Sequence, residues 1–220
     1  MPSPPHSLFF LCDIQTKFKP AIHAYHHVVA TANKMVRLAN LLDIPVVVTT
    51  QNTKALGPTD PEIDLQSLGS LLHGPFDKSL FSMYTPEVQA VLDALPIESI
   101  VIFGIESHVC VLQTVLALLA TAKYTVHVVT DGVSSCNSFE IPIALDRLRA
   151  EGAIVGTSES IAFQLMRDAS SPNFKAFSKF IKEVKETTKA TGEVLLQGRS
   201  NSSTSQTEIA SRGIVLKSAM

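Results

Sequence analysis

Three segments of the chain carry side chains suited to covalent chemistry. Cys110 lies in "GIESHVCVLQTVLALL", where an apolar run of strand length, Ser99 to Gly104, passes through Ile105 to Val109 into a long apolar helix. A thiol in the first turn of a helix faces unpaired backbone N–H groups and the positive end of the helix dipole, which favours the thiolate. The same N–H groups could hold an oxyanion. Packing is the competing reading, because cysteine is among the most buried residue types and its neighbours in "VCVL" are apolar. His108 stands close by in sequence, yet residues two apart on a helix point to different sides, so a Cys-His dyad of this pair is not expected.

Asp13 directly follows another strand-like run, Ser7 to Cys12. Alone it would read as a helix or turn cap. Lys78, in "GPFDKSLFSMY", would alone read as a solvated surface residue. Taken together, the three make a workable set. The carboxylate can take the thiol proton, and the ammonium can hold the carboxylate and stabilise the thiolate.

The elements that must position these residues follow from periodicity. Ser7 to Cys12 and Pro45 to Thr50 read as buried strands. Between them Val28, Ala32, Met35, Val36, Ala39 and Leu42 recur at helical spacing and predict an amphipathic helix of roughly five turns. The alternation returns with a strand at Ser99 to Gly104, a helix near Val109 to Ala122, a strand at Thr125 to Thr130, a helix near Phe139 to Ala150 and a short strand at Ala153 to Gly156. Strands alternating with helices predict an α/β fold: a doubly wound, mostly parallel sheet with helices on both faces. Such sheets bind ligands at the carboxyl ends of their strands. Gln51 to Phe76 contains Gly57-Pro58, Asp60-Pro61 and Gly74-Pro75 and reads as a long irregular excursion, followed by a helix from about Pro86 to Leu95. Past Glu186 the chain turns rich in Ser and Thr, so residues 1–186 form the expected domain and 187–220 a flexible tail.

Composition narrows the function classes. A chain of 220 residues with 45% hydrophobic and 17% charged residues can bury one full-sized core. A formal net charge of −2, with its lysines and arginines scattered, argues against a nucleic-acid partner. The N-terminal "MPSPPHSLFFLCDIQ" lacks a basic region and is interrupted by Asp13, so neither a signal peptide nor a membrane span is expected. Three cysteines without paired spacing fit reduced thiols and an intracellular location; cytoplasm is the default, and an organelle stays open. His23, His26 and His27 read as a solvated helix face rather than zinc ligands. Cys12 reads as core. Ser134, Ser135 and Cys136 are expected in a loop at the carboxyl edge, and Gln15, Phe18, Gln51, Phe81, Ser135 and Phe139 are candidates to shape a substrate slot.

The segments "LCDIQTKF", "DKSLFSMY" and "GIESHVCVLQT" together resemble the three signature segments of the isochorismatase-like cysteine hydrolases, and the likeness runs from about Ser7 to Lys185. The resemblance implies a doubly wound α/β fold, homo-oligomers and an Asp-Lys-Cys triad. By position it makes Cys110 the nucleophile, Asp13 the general base and then acid, and Lys78 the group that orients both. It also implies a cis peptide between Ile105 and Glu106, with the N–H groups of Glu106 and Cys110 forming an oxyanion hole. Nicotinamidase relatives carry an Asp-x-His metal motif after the second strand; here that place holds Thr50-Gln51-Asn52-Thr53, so no metal and no cofactor are expected. The expected function is a metal-free hydrolase that opens a small amide, imide or related acyl substrate through a thioester. The alternative is a catalytically retired scaffold that keeps the fold and works through its surface.

Overall fold

The computed structural model describes residues 6–196. In chain order its elements are β1 (Ser7–Cys12), α1 (Tyr25–Leu42), β2 (Val46–Gln51), α2 (Thr53–Leu56), β3 (Leu72–Lys78), α3 (Pro86–Ala94) and β4 (Ser99–Ile105). A π-helical turn (Ser107–Val111) then runs into α4 (Leu112–Ala120), followed by β5 (Thr125–Ser134), α5 (Glu140–Ala150), β6 (Ile154–Gly156), α6 (Ser158–Met166) and α7 (Phe174–Leu196).

The six strands form one sheet in the order β3-β2-β1-β4-β5-β6, and every pairing is parallel. A parallel sheet is covered on both faces, which is why β1 is apolar at nearly every position and buried throughout. Its side chains alternate: Phe9 and Leu11 join the layer containing Met35 and Ala39 of α1, Leu165 of α6 and Phe177 of α7. Leu8, Phe10 and Cys12 join the opposite layer with Leu92 of α3, Val115 and Leu118 of α4, and Leu145 and Leu148 of α5. The chain first steps outward from β1 through β2 to β3, then returns to the other side of β1 with β4. That reversal makes the carboxyl ends of β1 and β4 the switch point of the sheet, the place where sheets of this kind bind ligands.

Cys12 pairs with Gly104 in the β1–β4 register. Gly104 has φ of 127°, and a Cβ there would lie 2.1 Å from the Cys12 carbonyl oxygen. Only glycine permits this close approach of the two strands.

Several expectations need correction. Gln51 to Phe76 is not structureless: it holds α2, a 3-10 segment (Gln66–Leu71) and most of β3. The Gly74-Pro75 pair that reads as a turn lies inside β3 as a cis bond, tolerated because β3 is an edge strand. Asp131 to Ser134 belong to β5 rather than to a loop, continuing it after a shift in register against β4. The tail expected from residue 187 is helical as far as Leu196, where α7 buries Thr191 and Leu195 beside the earlier Phe177, Phe180 and Val184. A Ser/Thr-rich stretch can still be an amphipathic helix when its few apolar residues recur at helical spacing. Residues 197–220 of that expected tail lie outside the described residues.

Candidate active site

The topology brings three sequence-distant residues to one edge. Asp13 follows the last residue of β1 with φ of 49°. Lys78 is the last residue of β3. Cys110 lies in the π-helical turn that leaves β4, so it enters its helix through a π turn instead of an ordinary first α-turn. The exposures of Asp13, Lys78 and Cys110 are 1%, 6% and 7%.

Both carboxylate oxygens of Asp13 are engaged. Thr49 Oγ1 donates to Oδ1 at 2.7 Å, and Lys78 Nζ donates to Oδ2 at 2.7 Å. The Lys78 ammonium is surrounded by oxygen: besides Asp13 it reaches Gln51 Oε1 at 2.8 Å and the carbonyls of Phe81 and Leu80 at 3.0 and 3.2 Å. Burial disfavours its charge, but attraction to the anionic forms of Cys12, Asp13 and Cys110 outweighs burial and holds its pKa above the ordinary lysine value. Lys78 is therefore a permanent cation, not a solvated surface lysine.

Cys12 takes a larger part than that of a core residue. It is fully buried, its thiol donates to Asp13 Oδ2 at 3.7 Å, and Cys110 is close enough to help raise its pKa. Burial first, then these neighbours, raise its pKa well above the usual thiol value, so Cys12 is a neutral thiol. Its position next to Asp13 was visible in the sequence, but its contact with Cys110 depends on the pairing of β1 with β4. Thr49 was likewise missed, since nothing in a buried β-branched strand marks one hydroxyl as a carboxylate partner.

The Ile105–Glu106 peptide bond is cis. The Glu106 carbonyl accepts the N–H groups of both Val109 and Val111, anchoring the π turn. Thr114 fixes the turn from below: its hydroxyl donates to the Cys110 carbonyl at 2.6 Å and accepts the Met83 N–H at 2.8 Å, which ties Cys110 to the segment following Lys78.

The residues proposed for a substrate slot fall into two groups. The polar ones are satisfied within the protein. Gln15 accepts the Gln51 N–H at 2.7 Å and donates to the Gln51 and Gly57 carbonyls, while its own carbonyl accepts the Tyr25 hydroxyl. Gln51 holds Lys78 with its oxygen and donates to the Ser79 carbonyl. Ser135 is fully buried and bonds Ser107 Oγ at 2.5 Å and His108 Nδ1 at 2.9 Å. Among the apolar ones, Phe81 and Phe139 are exposed, whereas Phe18 packs against the α1 layer. Cys136 is exposed; hydrogen bonding to the Glu106 carboxylate, then partial burial, raises its pKa. Of the His23, His26 and His27 group, His27 Nδ1 meets Thr191 of α7 at 3.2 Å.

A doubly wound parallel sheet, with an acid, an ammonium and a thiol gathered at its switch point, defines an α/β protein of the isochorismatase-like hydrolase class. The isochorismatase domain model matches residues 7–160, and the chain belongs to that family. It is 42% identical over 181 residues to isochorismatase domain-containing protein 2A of Mus musculus, covering 82% of this chain and 84% of the relative. It is 46% identical over 182 residues to the secreted isochorismatase effector Isc1 of Phytophthora sojae, covering 81% and 86%. Among solved structures, the Mar1 ribonuclease from Caenorhabditis elegans superposes with a TM-score of 0.74 at 35% identity, covering 82% of this chain and 92% of that one. Among the described residues no helix is long and apolar enough to cross a membrane.

Proposed function

We propose that the protein is a cysteine hydrolase that opens a small amide, imide or related acyl substrate through a thioester on Cys110. The observation that carries this reading is the buried Lys78–Asp13 ion pair beside two thiols at the sheet's switch point. A buried pair of this kind is weak support for stability, whereas a carboxylate held by a fixed cation next to a thiol suits proton transfer.

In the proposed reaction Asp13 takes the Cys110 proton and the thiolate attacks the substrate carbonyl carbon. The N–H groups of Glu106 and Cys110 hold the tetrahedral oxyanion. Collapse breaks the carbon–nitrogen bond, and Asp13 returns its proton to the leaving nitrogen. Water then gives a proton to Asp13 and attacks the thioester; collapse releases the acid product, and the proton returns to Cys110. Phe81 and Phe139 wall the approach, and Gln15 and Gln51 hold Lys78 and the β2 end in place. The exposed side chains of Leu80, Phe81, Phe139 and Ile143 favour a homo-oligomer that covers apolar surface, and free thiols at Cys12, Cys110 and Cys136 fit a reducing intracellular compartment.

The test is a hydrolysis screen of small amides, imides, carbamoyl compounds and esters, run beside the Cys110→Ser variant and with an RNA substrate as a further arm. Turnover of a small acyl compound that is lost in the variant supports the proposal. RNA cleavage that survives Cys110→Ser, without acyl turnover, overturns it.

A further inference from the structure

Beside Cys110, three ligating side chains from two strand ends converge without any part in the proposed reaction. We propose that Glu106, His108 and Cys136 form a binding site for one zinc ion. A carboxylate oxygen, an imidazole nitrogen and the Cys136 sulfur all lie within 4.8 Å of one another. Ligand atoms around a tetrahedral zinc stand roughly 3.3–3.8 Å apart, from bond lengths of about 2.0–2.3 Å. Reaching that spacing requires the ligand atoms to draw together by about 1 Å on binding.

The groups are held in place before any ion arrives. Glu106 Oε2 accepts the Cys136 backbone N–H at 2.7 Å, which fixes the connection after β5 against the connection after β4. His108 Nδ1 meets Ser135 Oγ, itself bonded to Ser107 Oγ, and both serines are fully buried. Metal-ligating histidines are oriented by a partner of this kind. The half-buried Glu106 and His108 and the exposed Cys136 leave the site open to entry from solvent.

The ligand set selects the ion. One thiolate, one imidazole and one carboxylate suit a borderline cation, and zinc accepts this mixture with a fourth position left to water. Two anionic ligands balance the double charge of the ion. Binding replaces the thiol proton of Cys136, which passes to the buffer, by a zinc–sulfur bond. The site lies away from Thr50 to Thr53, where the sequence shows no metal motif, and uses none of Asp13, Lys78 or Cys110; of Glu106 it uses the carboxylate, whereas the proposed reaction uses only the backbone N–H, and the readout is zinc rather than turnover. Its test is therefore independent of the proposed hydrolysis.

The experiment uses chelator-stripped, full-length protein. Zinc is titrated in competition with a chromogenic chelator, and cobalt(II) is titrated for its thiolate charge-transfer absorption. One equivalent of zinc is expected, with affinity falling at least tenfold in Cys136→Ser and in His108→Gln. The cobalt band is expected to vanish in Cys136→Ser and to persist in Cys110→Ser. Zinc should also slow alkylation of Cys136 in the unmodified protein, a readout that needs no variant to fold. Failure of the protein to retain zinc, unchanged affinity in both ligand variants, or a cobalt band that follows Cys110 instead of Cys136 would each overturn the assignment.

Discussion

Lys78 Nζ and Asp13 Oδ2 stand 2.7 Å apart, with both side chains 1% exposed, although 65 positions separate them in the chain. The contact spans the carboxyl edge from β3, past β2, to β1. It makes each partner a condition for the other, because a single buried charge left behind is costly.

Breaking the pair from one side should therefore destabilise the protein strongly. Asp13→Asn or Lys78→Met is expected to cost about 3–5 kcal/mol in urea unfolding, since each leaves its partner buried without its counter-charge. The double variant should lose clearly less than the sum of the two. Additive losses would show that the two groups are not coupled in the folded state.

Cys12 should influence the reactivity of Cys110 through the contact between their thiols. In a Cys136→Ser background, which removes the exposed thiol, Cys12→Ala is expected to slow iodoacetamide alkylation of Cys110 at neutral pH by about tenfold, the order of a hydrogen bond to a charged group. An unchanged rate would mean that Cys12 only fills space.

His127 on β5 is 1% exposed, and neither ring nitrogen has a hydrogen-bond partner among the described residues. Burial lowers its pKa from 6.5 to about 4. The unfolded chain thus binds a proton that the folded one refuses, and stability is lost as pH falls from 6.5 toward 4. The shift corresponds to a loss on the order of 3 kcal/mol. Denaturant midpoints for the protein and for His127→Leu should diverge in that window, with the variant flatter; parallel curves would remove His127 as the cause.

Gly104→Ala tests the close approach of β1 and β4. A methyl group placed 2.1 Å from the Cys12 carbonyl, at φ of 127°, must force the strands apart. Overpacking and an unsuitable backbone together predict a loss of about 3 kcal/mol or more. Because the displaced strands carry Asp13 and Cys110, alkylation of Cys110 should change as well. A stable variant with unaltered labelling would contradict this geometry.

The alternation of β-branched strands and amphipathic helices made the fold class legible, since burial on both faces of a parallel sheet writes itself into continuous apolar runs such as "LFFLC". Asp13 and Cys110 could be singled out because they follow such runs. β3 was hidden for a physical reason: an edge strand is half-solvated and can hold Gly74 and Pro75, which in sequence are turn signals. The second half of α7 was hidden because Ser and Thr content masks a helix whose buried residues are few.

What the residues alone determined is the kind of groups present and the strand ends on which they lie. Only the tertiary structure decided which of them meet. The order β3-β2-β1-β4-β5-β6 sets Lys78 against Asp13, and the β1–β4 register joins Cys12 to Cys110. The neighbouring ends of β4 and β5 bring Glu106 and His108 to Cys136. Parallel pairing places strand ends side by side whatever length of chain lies between them, so these contacts leave no local spacing to read.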